Sequence, residues 1–113
     1  MRTIIAGGRD FAPTAKDWAT LDRLRTEIPI TKVVSGGARG ADHFGERWAR
    51  SRGVELVVIN ANWRTLGRRA GPFRNEMMAS YAQALVAFPG GKGTRDMIGR
   101  AHQHGLVVHV IPE

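Results

Sequence analysis

The sequence contains no cysteine, which excludes disulfide bonds, thiolate metal ligands and a cysteine nucleophile. It also lacks any apolar run near the ~20 residues that a membrane-spanning helix needs. Residues 1–5 pass directly into a β-rich segment, without the apolar stretch of a signal peptide. We therefore expect a protein of the cytoplasm with no membrane partner.

Histidines are too few and too scattered for a metal site. Of the four, His102 and His104 stand two apart on a predicted helix, where they cannot share a face. Their simpler role is favourable charge near the C-terminal end of that helix. We expect neither a bound metal nor a cofactor.

Acidic residues are also in short supply. Ten Asp and Glu residues stand against 14 arginines and three lysines, which gives a net charge of +7 at pH 7. Arginine binds planar or bidentate anions such as phosphate and carboxylate better than lysine does. The surplus suits a phosphorylated small molecule or a nucleic acid, and composition does not choose between them.

Glycine, by contrast, is plentiful directly after short apolar runs. Eight of the 14 glycines lie in three turns, at residues 7–10, 36–42 and 90–96, and each turn follows a predicted strand. In an open parallel sheet, the loops at the carboxyl ends of the strands meet along one edge. The last turn also opens a helix, whose first N–H groups can bind an anion. We therefore expect one ligand-binding crevice.

Strand-like and helix-like segments alternate along the whole chain. This alternation predicts an α/β fold, a three-layer Rossmann-like sandwich with a parallel five-stranded sheet, formed by residues 1–113 as a single domain. The third strand is expected to be buried on both faces because it is apolar at most positions, and the fourth is expected to be central. The predicted strands are 2–6, 31–35, 54–59, 84–88 and 106–111, and the predicted helices are 15–26, 42 to Gly53, Pro72 to Tyr81 and 94–104.

Residues 60–71 form the irregular part of the pattern. They hold Trp63, three arginines and two glycines, a composition too polar for a core element. Two interpretations remain open: a lid or base-stacking surface beside the crevice, or a mobile solvated loop.

Two common phosphate-binding motifs do not fit the third turn. A P-loop needs Ser or Thr after its lysine, and a glycine five positions before the Gly-Lys pair. Here Gly93 follows Lys92, and Val86 holds the earlier position. A dinucleotide fingerprint also fails, because Asp96 stands where its third glycine should be.

Two longer motifs resemble a known superfamily. Residues 89–94 (PGGKGT) resemble the PGGxGT motif of the Lonely-guy proteins, and residues 35–42 (SGGARGAD) resemble the SGxARGxD motif of the Smf/DprA DNA-processing proteins. Those two groups define the SLOG superfamily of Rossmann-like domains. With residues 7–9 and 71–75, the motifs make almost the whole chain similar to the small YspA-like branch.

The resemblance implies an activity and two catalytic candidates. Lonely-guy enzymes are phosphoribohydrolases, which cut the N-glycosidic bond between a base and ribose 5'-monophosphate. Arg74 matches their catalytic arginine, and Asp96 matches the first of their two acids. The lysine beside the arginine is Asn75 here, and the second acid is Met97, which cannot do its chemistry.

The missing second acid leaves three alternatives. Glycosidic cleavage needs a carboxylate to stabilise an oxocarbenium-like state or to activate water. Asp96 could act alone, or Asp42 or Glu76 could replace the missing group. The third alternative is a site that binds without turnover, since many members of the superfamily are thought to bind or sense nucleotides.

The ligand-binding candidates lie mainly in the three turns. Arg39 and Arg74 are the candidate phosphate-binding side chains, and their alternative role is surface ion pairing with Asp42 and Glu76. Asp42 and Asp96 could instead cap helix starts. The candidates are Gly7, Gly8, Arg9, Ser35, Gly36, Gly37, Arg39, Gly40, Asp42, Asn75, Gly90, Gly91, Gly93 and Thr94.

The sequence thus predicts a nucleotide-class ligand at the carboxyl edge of the sheet, either a nucleoside monophosphate or an ADP-ribose relative. Hydrolysis of its N-glycosidic bond is the sharper hypothesis. The alternatives are a non-catalytic sensor or sequestering protein, and a DprA-like binder of single-stranded nucleic acid. Nucleic acid is the weaker partner, because Trp63 stands alone as a candidate stacking aromatic. The resemblance also implies a homodimer.

Overall fold

The protein is built on one parallel sheet. A computed structural model describes residues 1–113. The strands are β1 (Arg2–Ala6), β2 (Lys32–Ser35), β3 (Glu55–Val58), β4 (Ala84–Ala87) and β5 (Val107–Val110). They are all parallel and lie in the order β3-β2-β1-β4-β5. The predicted parallel five-stranded sheet of a Rossmann-like sandwich is confirmed.

Helices cover both faces of this sheet. They are α1 (Ala15–Glu27), α2 (Ala41–Ser51), α3 (Trp63–Leu66), α4 (Ala70–Tyr81) and α5 (Lys92–Gln103), with a 3-10 turn, Gly67–Arg69, between α3 and α4. None of them combines the length and the apolar character that crossing a bilayer requires.

The core has two layers because successive side chains of a strand point to opposite faces. Ile5 of β1 packs in the layer that contains Trp48 of α2, and Ile4 packs in the layer that contains Met78 of α4 and Met97 of α5. All five side chains are at most 2% exposed. Burying each of them stabilises the fold by about 1.5–3 kcal/mol.

Two expectations about the strands are wrong. β3 is an edge strand, and its Val58 is 40% exposed. The central strand is β1, with β2 on one side and β4 on the other. An apolar run predicts a strand but does not give its place in the sheet, because an edge strand covered by a helix needs apolar side chains too.

The segment expected to be a loop contains helical turns. Residues 63–66 form α3, residues 67–69 form the 3-10 turn, and α4 begins at Ala70 rather than at Pro72. Their polar composition reflects exposure, since neither of the first two turns has a buried residue. Short surface helices need no apolar face, so helical periodicity gives no signal there.

Candidate functional site

The three glycine-rich turns lie side by side at the carboxyl edge of the sheet. Gly8 joins the other two: its N–H donates to the carbonyl oxygen of Pro89 (2.9 Å), and its carbonyl oxygen accepts from the N–H of Ala41 (3.1 Å). These bonds form because the preceding strands, β2, β1 and β4, are neighbours. From β1 the chain adds β2 and β3 on one side of the sheet, and β4 and β5 on the other. The boundary between β1 and β4 is the place where open α/β sheets usually bind ligands.

At two positions in these turns, a side chain would clash with the backbone of the first turn, so only glycine fits. Gly40 has a φ of +77°, and a β-carbon there would also collide with the carbonyl oxygen of Gly8. At Gly90, a β-carbon would lie 2.6 Å from the nitrogen of Gly8 and 2.9 Å from Cβ of Thr94. These glycines therefore allow the turns to approach each other closely.

A cavity of about 630 Å³ opens between the turns and α4. Small-molecule sites typically enclose ~300–1,000 Å³. The structure brings together on its wall the catalytic candidates and eight of the ligand-binding candidates. Those on the wall are Gly7, Gly8, Arg9, Asp42, Arg74, Asn75, Gly91, Gly93, Thr94 and Asp96.

The remaining candidates lie outside the cavity wall. Ser35 is buried; its hydroxyl donates to Oε2 of Glu46 (2.7 Å) and accepts from the N–H of Gly37 (3.1 Å), so it ties the second turn to α2. Arg39 is exposed and lies outside the wall, and it pairs with Asp10 (3.3 Å) rather than with Asp42, the partner in its alternative role. The candidates outside the wall are Ser35, Gly36, Gly37, Arg39, Gly40 and Gly90.

Arg74 reaches the cavity from the start of α4. One guanidinium N–H donates to the carbonyl oxygen of Gly36, and Nε donates to Oδ1 of Asn75 (3.0 Å). Partial burial lowers the pKa of Arg74, while the charge of Asp42 opposes that change. The surface ion pair with Glu76 does not form. Arg74 is instead a positioned cation on the cavity wall.

Asn75 links the two catalytic candidates. Its Oδ1 accepts from Arg74, and its Nδ2 donates to Oδ2 of Asp96 (2.9 Å). The same Nδ2 lies 3.3 Å from the carbonyl oxygen of Gly93, in the third turn. Because Asn75 is only 6% exposed, its orientation is set by these partners, and they hold α4 against α5.

A chain of ion pairs leads from Asp96 to the surface. Nε of Arg100 donates to Oδ2 of Asp96 (3.0 Å), and Nη1 of the same residue lies 3.3 Å from Oε1 of Glu76. His104 then contacts Oε2 of Glu76 (2.8 Å). The hydrogen bond with His104, followed by that with Arg100, lowers the pKa of Glu76. Glu76 is thus paired away from the cavity.

Asp42 is a carboxyl group buried in the first turn of α2. It is 6% exposed, and its Oδ2 accepts from the N–H of Ala38 (3.1 Å). Burial is the main cause that raises the pKa of Asp42 to about 6; the Ala38 hydrogen bond and the charge of Arg74 oppose it, and Glu46 adds to it. Such a group is partly protonated near neutral pH and can exchange protons with a ligand.

The N-terminal end of α5 opens into the cavity. The first intrahelical bond joins the N–H of Arg95 to the carbonyl oxygen of Gly91 (3.0 Å), so the N–H groups of residues 92–94 precede the helical ladder. No side chain caps this end. The residues at this end line the cavity, so the helix start suits an anion.

Three charged or aromatic side chains on the wall are not among the catalytic and ligand-binding candidates: Trp63, Arg68 and Lys92. Trp63 and Arg68 come from the irregular segment, and its helical turns bring them to the cavity. Arginines and an aromatic ring in that segment were the available signal, but its local composition did not show which of them would reach the cavity. Lys92 occupies the variable position of the PGGxGT motif.

Positive charge dominates the cavity wall. Four cationic side chains, Arg9, Arg68, Arg74 and Lys92, stand against the carboxyl groups of Asp42 and Asp96. The cavity therefore attracts anionic ligands. No group of three His, Asp or Glu side chains in the protein is arranged to hold a metal ion.

Comparison with known proteins gives two matches. A family model described as "YspA, cpYpsA-related SLOG family" matches residues 1–65, which include the first two glycine-rich turns. Gene 61 protein of Mycobacterium phage D29 is 36% identical over 116 aligned positions, covering 95% of this chain and 93% of that protein. No solved structure matches the chain.

Proposed function

Because the chain belongs to the YspA, cpYpsA-related SLOG family, we propose that its cavity binds a nucleoside monophosphate or an ADP-ribose relative. The expected membership of the SLOG superfamily is confirmed, and it indicates a nucleotide-related function. The proposal adds the class of ligand and the groups that hold it.

One observation carries the proposal: the start of α5 and the guanidinium of Arg74 open into the same cavity. A helix start offers N–H donors and the positive end of the helix dipole, and arginine adds a charged, two-pronged donor. Thr94 contributes a hydroxyl on the same wall. A phosphate monoester accepts hydrogen bonds from all three kinds of donor.

Arg74 is held ready for this role before a ligand arrives. Gly36 and Asn75 accept two of its N–H groups. A guanidinium has five donors, so three are left for the phosphate. A side chain already held in place loses less conformational entropy when the ligand binds.

In its sharper form, the proposal is hydrolysis of the N-glycosidic bond. Water adds to C1' of the ribose, the bond from C1' to the base nitrogen breaks, and the products are free base and ribose 5-phosphate. Asp96 supplies the carboxylate that stabilises the oxocarbenium-like state. Asp42, whose pKa is about 6, takes a proton from the attacking water and returns one to the base.

Of the two carboxyl groups that could replace the missing acid, Asp42 is the better supported. Asp42 lines the cavity, whereas Glu76 does not and is paired with Arg100 and His104. Proton transfer to a ligand requires hydrogen-bond reach, which the position of Glu76 does not provide.

A non-catalytic sensor or sequestering protein is the second candidate, and Met97 favours it. Met97 is 1% exposed and packs in the core layer beside α4. Because its side chain is a thioether, this position provides no second carboxylate for hydrolysis. A protein of this kind would bind the nucleotide and release it intact.

One experiment tests both the hydrolase and the non-catalytic binder. The protein is incubated with nucleoside monophosphates, NAD and ADP-ribose, the bound and free fractions are separated, and each is analysed by liquid chromatography and mass spectrometry. Free base with ribose 5-phosphate identifies an N-glycosidase, and Asp96→Asn should then abolish base release. Asp10→Asn is the matched control, because Asp10 is exposed and lies outside the cavity wall. Intact nucleotide retained by the protein identifies a binder.

A negative result is equally clear. If calorimetry and thermal-shift assays at saturating concentrations detect none of these compounds, the proposal loses its main support. Steeply salt-dependent binding of single strands, in place of mononucleotides, would favour a nucleic-acid partner.

A further inference from the structure

The indole ring of Trp63 lies on the cavity wall and is left partly exposed by the surrounding residues. The residue is 48% exposed, whereas Trp48 is completely buried and Trp18 packs edge-on against Phe44 at 5.3 Å between ring centroids. An exposed indole forgoes the burial that stabilises the other two, and its flat face suits a flat partner. On the wall of a cavity, that partner is a ligand.

The local structure sets the position of this ring. Oδ1 of Asn62 accepts from the N–H of Thr65 (3.2 Å), which caps the single turn of α3 that begins at Trp63. The far edge of the indole rests on α4, where a β-carbon at Gly71 would lie 3.1 Å from Cη2 of the ring. A cap on one side and a glycine on the other therefore hold the ring in place.

Arg9 connects the ring to the phosphate end of the cavity. Its guanidinium lies 5.5 Å from the ring centroid of Trp63, within range of a cation–π contact. Arg9 belongs to the first glycine-rich turn, and Gly8 of that turn is bonded to Pro89 just before the start of α5. The indole, the guanidinium and the helix start are thus parts of one wall.

We infer that Trp63 is the stacking surface for the base of the bound nucleotide, with the phosphate at the start of α5. This assignment rests on the proposed function and narrows it to ligands that carry an aromatic base. A sugar phosphate alone would fill the charged part of the cavity and leave the ring uncovered. Stacking on an aromatic side chain changes affinity by about 5-fold to 150-fold per base.

The test compares AMP with ribose 5-phosphate, which share the sugar phosphate and differ in the base. Calorimetry should show that the wild-type protein prefers AMP by at least about fivefold. Trp63→Leu should remove this preference, so that AMP binds no more tightly than ribose 5-phosphate. Trp63→Phe, which keeps an aromatic face, should retain part of it. Each variant is also measured in a protein that carries Asp96→Asn, so that hydrolysis of AMP does not interfere with the binding measurement. The protein with Asp96 intact is measured alongside.

A positioning variant and a spectroscopic readout separate stacking from a structural role. AMP should quench tryptophan emission in the wild type, and that signal should vanish in Trp63→Leu while Trp18 and Trp48 still emit. Gly71→Ala should weaken AMP binding and spare ribose 5-phosphate, because the new methyl group displaces the indole without removing it.

The failures of the two proposals are distinguishable. If Trp63→Leu keeps the wild-type ratio of affinities, or if the wild type binds both compounds equally, stacking on Trp63 is overturned while the phosphate site stands. If neither compound binds to the wild type, the proposed function fails and the assignment of the base fails with it.

Discussion

Replacing Asp42 by Asn should stabilise the folded protein at neutral pH and lose that advantage in acid. The pKa of Asp42 rises from 3.8 to about 6, so its ionised form is less stable in the fold than in the unfolded chain. A shift of about two pKa units, at ~1.36 kcal/mol each, corresponds to about 3 kcal/mol of unfolding free energy. The figure already includes the attraction of Arg74, and the 6% exposure of the residue leaves little screening by solvent.

The sign of the shift gives the pH range. Between about pH 4 and pH 6 the folded state binds more protons than the unfolded state, so the contribution of this group to stability falls as the pH rises. Below about pH 4 the carboxyl is neutral in both states, and Asp42→Asn should match the wild type. Above about pH 6 the wild type loses the full stability that burying the ionised carboxyl costs. Asp42→Asn avoids that loss, and its amide oxygen can still accept from the N–H of Ala38.

Urea unfolding of both proteins at about pH 4 and about pH 7.5 measures the effect. Asp22→Asn is a control of opposite sign, because hydrogen bonds from Arg52 and Trp48 lower the pKa of Asp22 to about 2. This variant should be less stable than the wild type at neutral pH, and the difference should shrink only as the pH falls from about 4 towards 2. The reasoning is refuted if the stability difference between Asp42→Asn and wild type is the same at both pH values.

Two further predictions concern the contacts around the cavity. Gly90→Ala should lower the unfolding free energy by about 1–3 kcal/mol, because its β-carbon would lie 2.6 Å from a backbone nitrogen of the first turn. Its control Gly99→Ala lies inside α5 with nothing within 4 Å of the new carbon, so it should raise the unfolding free energy by about 0.5–1 kcal/mol, and equal urea midpoints for the two variants would contradict this packing. Asn75→Leu should cost about 1–3 kcal/mol and weaken AMP binding in calorimetry, since Arg74 and Asp96 lose their shared partner. Unchanged affinity would show that Asn75 does not position them.

The fold was predictable from sequence because its signals are local. Apolar runs of strand length alternate with helical spacing, and Gly53 and Gly105, both with positive φ in the structure, mark the ends of two helices. The position of each strand in the sheet is not a local property. For that reason β3 and β4 were misplaced, although their residues were identified.

The site was predictable to the level of turns, and less so to the level of side chains. Glycine-rich turns that follow parallel strands lie at the same edge of the sheet, so Gly8, Gly91 and Asp42 could be grouped from sequence. The direction of a side chain within a turn depends on contacts with other segments. Ser35 turns inward to Glu46, and Arg39 turns outward to Asp10. Binding of nucleic acid, homodimer formation and the cytoplasmic location stay predictions.

The acid missing from the third turn shows why sequence alone could not separate an enzyme from a binder. Asp42 and Glu76 were equivalent as replacements in the sequence, since each stands near the start of a predicted helix. Packing makes them different, because burial raises the pKa of Asp42 and ion pairing lowers that of Glu76. A buried carboxyl with a raised pKa costs stability, which a purely structural cap would avoid by facing solvent. If the wild type releases free base and the more stable Asp42→Asn does not, the carboxyl is retained for its chemistry, and the cavity is an active site despite Met97.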